Sequence, residues 1–514
     1  MSSNTTLHSG DAPLHGGALW AAALVLAAAN FIAVLDMTIA NVSVNSIAGG
    51  LGASTSQGTW VITSYAVAEA ITVPLTGWLA ARFGAVRVFV SAMMMFGVFS
   101  ALCGFANSLG FLVAARVLQG LAGGPMMPLS QTLMLRIFPK DKQGAAMGLW
   151  AMTTLIAPVL GPILGGWICD SFSWPWIFYI NVPVALACAT MAWRMLKRYE
   201  HPLERVPVDK VGLGLLVIWV AALQIMLDEG KQLDWFASSK IWALAIIAAI
   251  GFAAFMIWEL TEQHPIVDLR VFRHRGFTAS VLTISLAFGA FFGANVLTPM
   301  WLQSYMGYTA TWAGMTTAWS GVLAVLVAPV AAALSAKVDP RPLVFGGVIW
   351  LGIVTLLRVV ANTDMDYWQI ALPLLLMGLG MPFFFVPLNA LALASVEESE
   401  TASAAGLLNF LRTVSGAFAT SLVTTRWEDG ASAKHAELAG LIDPQGASAQ
   451  ALTQQGMPAD AVRATLDQIT QGQAVMVATN ELLLMVGIAF FIAAFAIWLA
   501  PRPTRVVDAA AAGH

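Results

Sequence analysis

Fourteen stretches of this chain are long and apolar enough to read as bilayer-spanning helices, and nothing else in the sequence restricts its fold as severely. A span needs about 20 mainly apolar residues. Such runs fall at roughly 18–46, 58–80, 87–107, 109–134, 144–168, 176–196, 209–228, 239–260, 277–303, 311–336, 342–361, 368–394, 402–426 and 477–500. The 514 residues are 58% hydrophobic and only 10% charged, against ~25% charged in soluble domains, so the chain is expected to be an integral membrane protein. Lipid leaves no partner for free backbone N–H and C=O groups, which favours an all-α architecture.

Charge placement tests that count. One set of alternate loops collects Arg82, Arg87, Arg136, Lys140, Lys142, Arg194, Lys197, Arg198, Arg205, Lys210, Arg270, Arg273, Arg275, Lys337, Arg341, Arg502 and Arg505, while the other holds only Lys231, Lys240, Arg426, Lys434 and Arg463. By the positive-inside rule both termini are cytoplasmic and the number of spans is even. The N-terminus lacks a basic start and a small-residue cleavage site, so the first apolar run is read as a retained span. This predicts a multi-pass membrane protein.

An internal repeat adds organisation. Leu118-Gln119-Gly120-Leu121, Pro128-Leu129-Ser130 and Ala145-Ala146-Met147-Gly148-Leu149 recur as Leu376-Met377-Gly378-Leu379, Pro387-Leu388-Asn389 and Ala404-Ala405-Gly406-Leu407 at nearly constant offset. Spans four and five thus correspond to twelve and thirteen, in two halves related in parallel. The expected division is a cytoplasmic N-terminus (1–17), a six-helix bundle (18–205), two extra central spans (206–262), a second six-helix bundle (263–500) and a cytoplasmic tail (501–514). Within the second bundle the long polar loop 428–476 reads either as a partner surface or as a solvated helical hairpin, with Val462, Leu466 and Ile469 on one helical face.

Several chemistries are excluded. The net charge of −3 and scattered basic residues offer no surface for nucleic acid. There is no Gly-x-x-x-x-Gly-Lys-Ser/Thr phosphate loop, no His-Glu-x-x-His and no Gly-x-Ser-x-Gly, so the chain is read as a non-enzyme with no cofactor or metal. Cys103, Cys169 and Cys188 lack metal spacing and read as small buried hydrophobes.

Asp36 stands out, since a carboxylate at mid-membrane costs roughly 2.5 to 3.5 kcal/mol and usually marks an ion or substrate path. It reads either as a proton site with Arg116 of span four as counter-charge, or as a residue near the outer headgroups. Glu69 in span two is a second titratable site, a contact for a cationic substrate, or a structural hydrogen-bonding group. Arg412, beside Asn409 in span thirteen, pairs with helix carbonyls or with substrate. Gly161-Pro162-Ile163-Leu164-Gly165-Gly166 in span five allows close helix approach near a kink. The loop Gly77 to Arg87 combines glycine breaks with arginines, and positive-inside anchoring explains only the arginines. Phe288, Phe291, Phe292, Met381, Phe383, Phe384 and Phe385 give spans nine and twelve a polarizable apolar surface suited to varied lipophilic ligands.

Together these motifs resemble the fourteen-span drug:proton antiporters of the major facilitator superfamily, the EmrB/QacA type. Leu35-Asp36-Met37-Thr38-Ile39-Ala40-Asn41-Val42 looks like the first-span signature, Gly77 to Arg87 like the cytoplasmic-loop motif, Arg116-Val117-Leu118-Gln119-Gly120 like the Arg-x-x-Gln-Gly motif, and Gly161 to Gly166 like the antiporter motif. Two positions depart from the pattern: Ala81 stands where the loop motif carries an acid, and Ser43-Val44-Asn45 replaces Ala-Leu-Pro. The resemblance implies a major facilitator fold and export of lipophilic or amphipathic toxic compounds in exchange for protons. It further implies a membrane-fusion-type periplasmic adaptor and an outer-membrane channel as partners, as in a tripartite pump. On this reading Asp36, Arg116 and Glu69 couple protons, and Gln119, Phe288, Phe292, Asn295, Phe384, Asn389, Asn409 and Arg412 meet substrate. Gly77, Arg82, Gly84, Arg87, Pro158, Gly161, Pro162, Gly165 and Gly166 would gate. Export of one endogenous metabolite or siderophore, and a non-transporting receptor or scaffold, are the alternatives.

Overall fold

The computed structural model describes residues 16–139, 142–200, 207–335, 337–441, 446–454 and 456–502. The predicted termini lie mostly, and Lys140, Arg205 and Arg505 wholly, outside them. Among the described residues every regular element is a helix. The first half comprises α1 (Gly16–Gly50), the short α2 (Thr55–Gly58), α3 (Trp60–Thr72), α4 (Thr76–Phe83), α5 (Ala85–Gly104), α6 (Leu109–Gly123), α7 (Met126–Ile137), α8 (Gln143–Ser171), the short α9 (Trp176–Tyr179) and α10 (Asn181–Leu196). The central pair is α11 (Lys210–Glu229) and α12 (Ser239–Thr261). The second half follows with α13 (Arg275–Tyr305), α14 (Ala310–Ser335), α15 (Pro340–Leu357), α16 (Tyr367–Ala394), α17 (Thr401–Ala439), α18 (Ala447–Gln454) and α19 (Ala459–Ala496).

All fourteen predicted stretches are helical, but the predicted number of spans is not reached. Among the described residues eleven helices are long and apolar enough to cross a membrane, or twelve when the bent α8 is included. The run 58–80 is broken at Val73-Pro74-Leu75 into α3 and α4, because Pro74 has no N–H and its ring opposes the carbonyl one turn back. The run 402–426 is helical within α17 but too polar to qualify. At 39 residues α17 is about 58 Å long, nearly twice a ~30 Å hydrocarbon core, so its last turns stand outside the lipid.

The predicted loop 428–476 is consequently mostly helix. α17 and α19 extend past the membrane as a hairpin, joined by His435 Nε2 and Asp467 Oδ1 at 2.9 Å and by Lys434 and Glu481 at 3.5 Å. The expected apolar face differs by one position. Val462 and Thr470 are buried, two turns apart, while Ile469 is 55% exposed, because the α17 partner lies over the i, i+4, i+8 row.

Small residues set the helix approaches, as they do where lipid supplies no hydrophobic drive between helices. A Cβ on Gly120 of α6 would lie 2.5 Å from Tyr65 O of α3, and one on Gly124, just past the end of α6, 2.1 Å from Thr72 Oγ1. One on Gly378 of α16 would lie 2.3 Å from Ser320 O of α14. The halves meet along α8 and α14, where a Cβ on Gly148 would stand 2.7 Å from that of Ala332. The central pair sits outside the bundles, with α11 on α3. It is tied to α17 by Ser421 Oγ donating to Leu227 O at 2.8 Å, Trp235 Nε1 donating to Thr425 Oγ1 at 2.9 Å, and a Lys231–Glu428 ion pair.

Candidate functional site

Inside the first half, four helices bring polar side chains to one dry point. Arg116 Nη1 lies 2.6 Å from Asp36 Oδ2 and 2.9 Å from Gln119 Oε1, and its Nε donates to Val61 O at 3.0 Å. Gln119 Nε2 and Asn181 Nδ2 donate to Asp36 Oδ1 at 3.1 and 2.5 Å. Asn181 also donates to Ser100 Oγ at 3.0 Å. The guanidinium carbon sits 4.2 Å from the Tyr65 ring centre. Asp36 is 2% exposed and Arg116, Gln119 and Asn181 are 0% exposed. A buried ion pair survives such desolvation only when further hydrogen bonds support it, here the two amides on Asp36 and Gln119 and Val61 O on Arg116, whose Nη2 alone has no hydrogen-bond partner among the described residues. Asp36 is therefore enclosed by protein rather than exposed at the surface.

Asn181 and Ser100 were missed in the sequence because neither carries a charge to mark it within an apolar run. Gln119, placed among the substrate contacts by the resemblance, is instead enclosed in this network. Glu69 lies on α3, half-buried, and has no side-chain hydrogen bond or ion pair among the described residues; Arg116 and Arg412 are its nearest cationic influences.

A second cluster spans the seam between halves. Gln131 of α7 donates to Asn389 Oδ1 of α16 at 3.1 Å and accepts from Asn409 Nδ2 of α17 at 3.1 Å. Beside it Arg412 finds no helix carbonyl. Its Nη2 meets Met127 Sδ, and its guanidinium carbon lies 5.2, 5.6 and 5.8 Å from the ring centres of Phe288, Phe385 and Trp150. Trp150 and Phe385 stack across the seam at 6.1 Å with planes 2° apart, and Phe292 continues the cluster at 4.8 Å from Phe288. Phe384 is wholly buried, with its backbone N 2.7 Å from where a Gly347 Cβ would stand; the ring stacked on Trp150 at the seam is Phe385. Asn295 is half-buried on α13 and joins neither cluster. Gln131, Met127 and Trp150 carry no motif that sequence reading could have used.

A polar network thus lies within the first half and an aromatic seam between the two halves. The sequence profile of the Major Facilitator Superfamily matches residues 26–420. The chain belongs to the major facilitator superfamily. It is 43% identical over 496 residues to the Multidrug export protein EmrB of Haemophilus influenzae, covering 96% of this chain and 97% of that one. It is 42% identical over 495 residues to the Fatty acid resistance protein FarB of Neisseria gonorrhoeae, covering 96% and 98%. The proton:xylose symporter XylE shares the fold with a TM-score of 0.60 at 14% identity, over 94% of this chain and 96% of that one. Members of this superfamily are multi-pass membrane transporters rather than enzymes.

The two superfamily motifs gain physical roles. At Gly77 a Cβ would lie 2.8 Å from Ser403 Cα, so this glycine admits α17 of the other half. Gly84 has φ +91°, open mainly to glycine, and the Glu200 carboxylate occupies the space a Cβ would need. That carboxylate accepts from Val86 N at 3.2 Å and Arg87 N at 2.9 Å, capping α5. An acid from the end of α10 thus serves the loop in which Ala81 replaces the usual one. Arg82 lies over the Trp78 and Phe83 rings at 5.5 and 5.6 Å. In α8, Cβ atoms on Gly161 and Gly165 would meet Thr38 Oγ1 at 2.2 Å and Val42 at 2.7 Å, while Gly166 faces open space. Pro158 and Pro162 interrupt the same helix, whose Pro162 lies 3.9 Å from where a Gly314 Cβ would stand on α14. The antiporter motif therefore connects the helix that bears Asp36 to the other half.

Proposed function

We propose that this protein is a proton-coupled exporter of lipophilic or amphipathic compounds, working by alternating access in the bacterial inner membrane with both termini cytoplasmic. The observation that carries this reading is the Asp36–Arg116 pair, sealed at 0–2% exposure. Binding one proton there cancels the carboxylate charge and leaves Arg116 without its counter-ion. Arg116 is then free to shift its bond from Asp36 on α1, while its Nε hold on Val61 links it to α3. α3 continues through the Pro74 break into α4, whose Gly77 rests on Ser403. A local charge change thereby biases a contact between halves. Glu69, on the same helix, is the second candidate proton carrier. Phe288, Phe292, Phe385, Asn389, Asn409 and Arg412 form the cargo surface, soft enough for unlike ligands.

The test is dye efflux from proteoliposomes under an imposed pH gradient. Asp36→Asn keeps the hydrogen bonds from Asn181 and Gln119 feasible but cannot take up a proton. Export is expected to fall at least tenfold while the protein elutes as the parent does. Undiminished efflux by that variant would remove Asp36 from coupling.

The α17–α19 hairpin is the natural contact for a periplasmic adaptor of the membrane-fusion class, which would hand cargo to an outer-membrane channel. A narrower cargo class is favoured by one similarity, that to a protein named for fatty acid resistance. Competition between a cationic dye and a long-chain fatty acid for export separates the broad range from the narrow one.

A further inference from the structure

The added pair does not lie flat on the bundle. Only 22% of the α12 span is buried, the smallest share of any candidate span. Between the pair and α17 lies a cavity of about 580 Å³. Trp219 and Leu223 of α11, Ala248 and Phe252 of α12, and Phe410 and Val414 of α17 represent its three walls. Along each helix the lining follows one face, from Leu216 to Met226, Ala245 to Met256 and Leu407 to Phe418. At 1.5 Å per residue these faces run about 15–16 Å along the bilayer normal. That is half of a ~30 Å hydrocarbon core, the depth one leaflet gives an acyl chain.

The lining is chemically uniform. No side chain in it carries a charge, an amide or a hydroxyl. Its single N–H, Trp219 Nε1, is buried without a partner and cannot by itself hold a water, which needs two to four polar partners, and ligand pockets normally orient their occupant with a few placed polar groups. Phe236, Phe252 and Phe418 at the edges are 51%, 46% and 47% exposed, so the cavity opens sideways onto the lipid, where acyl chains are the solvent. We propose that this cavity holds one acyl chain of a bilayer phospholipid, which completes the packing between the added pair and α17. The site is independent of the exporter reading. It nevertheless shares a wall with the seam: residues 407, 410, 411, 414 and 418 face the cavity while Asn409 and Arg412 lie on the opposite side of the same helix.

The experiment uses the full chain in liposomes containing phosphatidylcholine with a photoreactive diazirine at the middle of one acyl chain, followed by peptide mapping. Adducts are expected on the lining of α11, α12 and α17. They should fall at least fivefold in Ala248→Phe, which fills the cavity, while adducts at the lipid-facing Ile247 and Ile250, 44% and 65% exposed, stay constant. Ala249→Leu, at a more exposed lining position, provides the same reading if the larger residue prevents insertion. Lining adducts unchanged in both variants overturn the proposal. So does their displacement by an exported amphiphilic dye but not by added unlabelled phosphatidylcholine, which would make the cavity a cargo pocket.

Discussion

Span four and its repeat, span twelve, share a backbone and differ in chemistry. Gly120 and Gly378 occupy matching places in the repeated motif, and each lets its helix close on a neighbour's carbonyl, Tyr65 O at 2.5 Å and Ser320 O at 2.3 Å from a would-be Cβ. Around them the polar side chains exist in one half only. The counterparts of Gln119 and Arg116 are Met377 and Leu374, each 1% exposed. The duplicated sequence thus specifies the scaffold twice and the charge network once. The first half holds the buried Asp36–Arg116 pair, and the corresponding positions of the second half are apolar. On the proposed function, this asymmetry would let proton and cargo occupy different sites.

The strongest way to break the comparison is to give the first half the residue of the second. Arg116→Leu leaves Asp36 charged and unpaired at a site 2% exposed, which is expected to cost about 3–5 kcal/mol. Thermal unfolding of the detergent-purified protein would register this as a large drop in midpoint, with export lost. Adding Asp36→Asn should restore most of the stability, since removing both partners of a buried pair is far cheaper than removing one, and should leave export absent. Recovery of export in the double variant would show that the asymmetry carries no coupling.

A smaller effect sharpens the shared part. Gly120→Ala and Gly378→Ala each push a methyl group against backbone, which cannot swing aside as a flexible side chain can. Each is expected to cost about 1–3 kcal/mol. Similar losses in unfolding midpoint would mark the two glycines as equivalents in one scaffold. A loss confined to Gly120 would mean that the charge network, rather than helix approach, sets the requirement.

Much of this was legible in the sequence for physical reasons that also explain the gaps. Helices in lipid announce themselves by apolar length, so all fourteen stretches could be located. Whether each crosses in one piece depends on a single Pro74 or on the polarity of α17, which a hydropathy count treats poorly. Asp36 and Arg116 were visible because charge in lipid is costly. Asn181 and Ser100, which complete the network, are neutral and common, and only their positions on α10 and α5 give them meaning. Arg412 was open between helix carbonyls and substrate; the rings of Phe288, Phe385 and Trp150 come from three helices far apart in the chain and could not be read as a cage. Glu200 was unmarked for the same reason: it caps α5 from more than a hundred residues away.

The loops that open the third helix of each bundle extend the comparison to its smallest effect. In the first half α5 is capped at a distance by Glu200; in the second, Asp339 caps α15 locally, accepting from Arg341 N at 3.0 Å and from Arg341 Nη2 at 2.6 Å. The Arg341 hydrogen bonds hold the Asp339 carboxyl below its ordinary 3.8. Because the folded value is depressed, the carboxylate's contribution is complete at pH values above 3.8 and is lost as pH falls through the lower folded value. Asn caps a helix about as well as Asp, so Asp339→Asn removes only the ionic part, at most about 1 kcal/mol for a partly exposed pair. The parent should be slightly the more stable at pH 7, and the two unfolding midpoints should converge as the buffer is taken well below pH 4. A difference that persisted unchanged in acid would mean that Asp339 acts through its shape as a cap, and the two loops would then differ only in where the capping oxygen comes from.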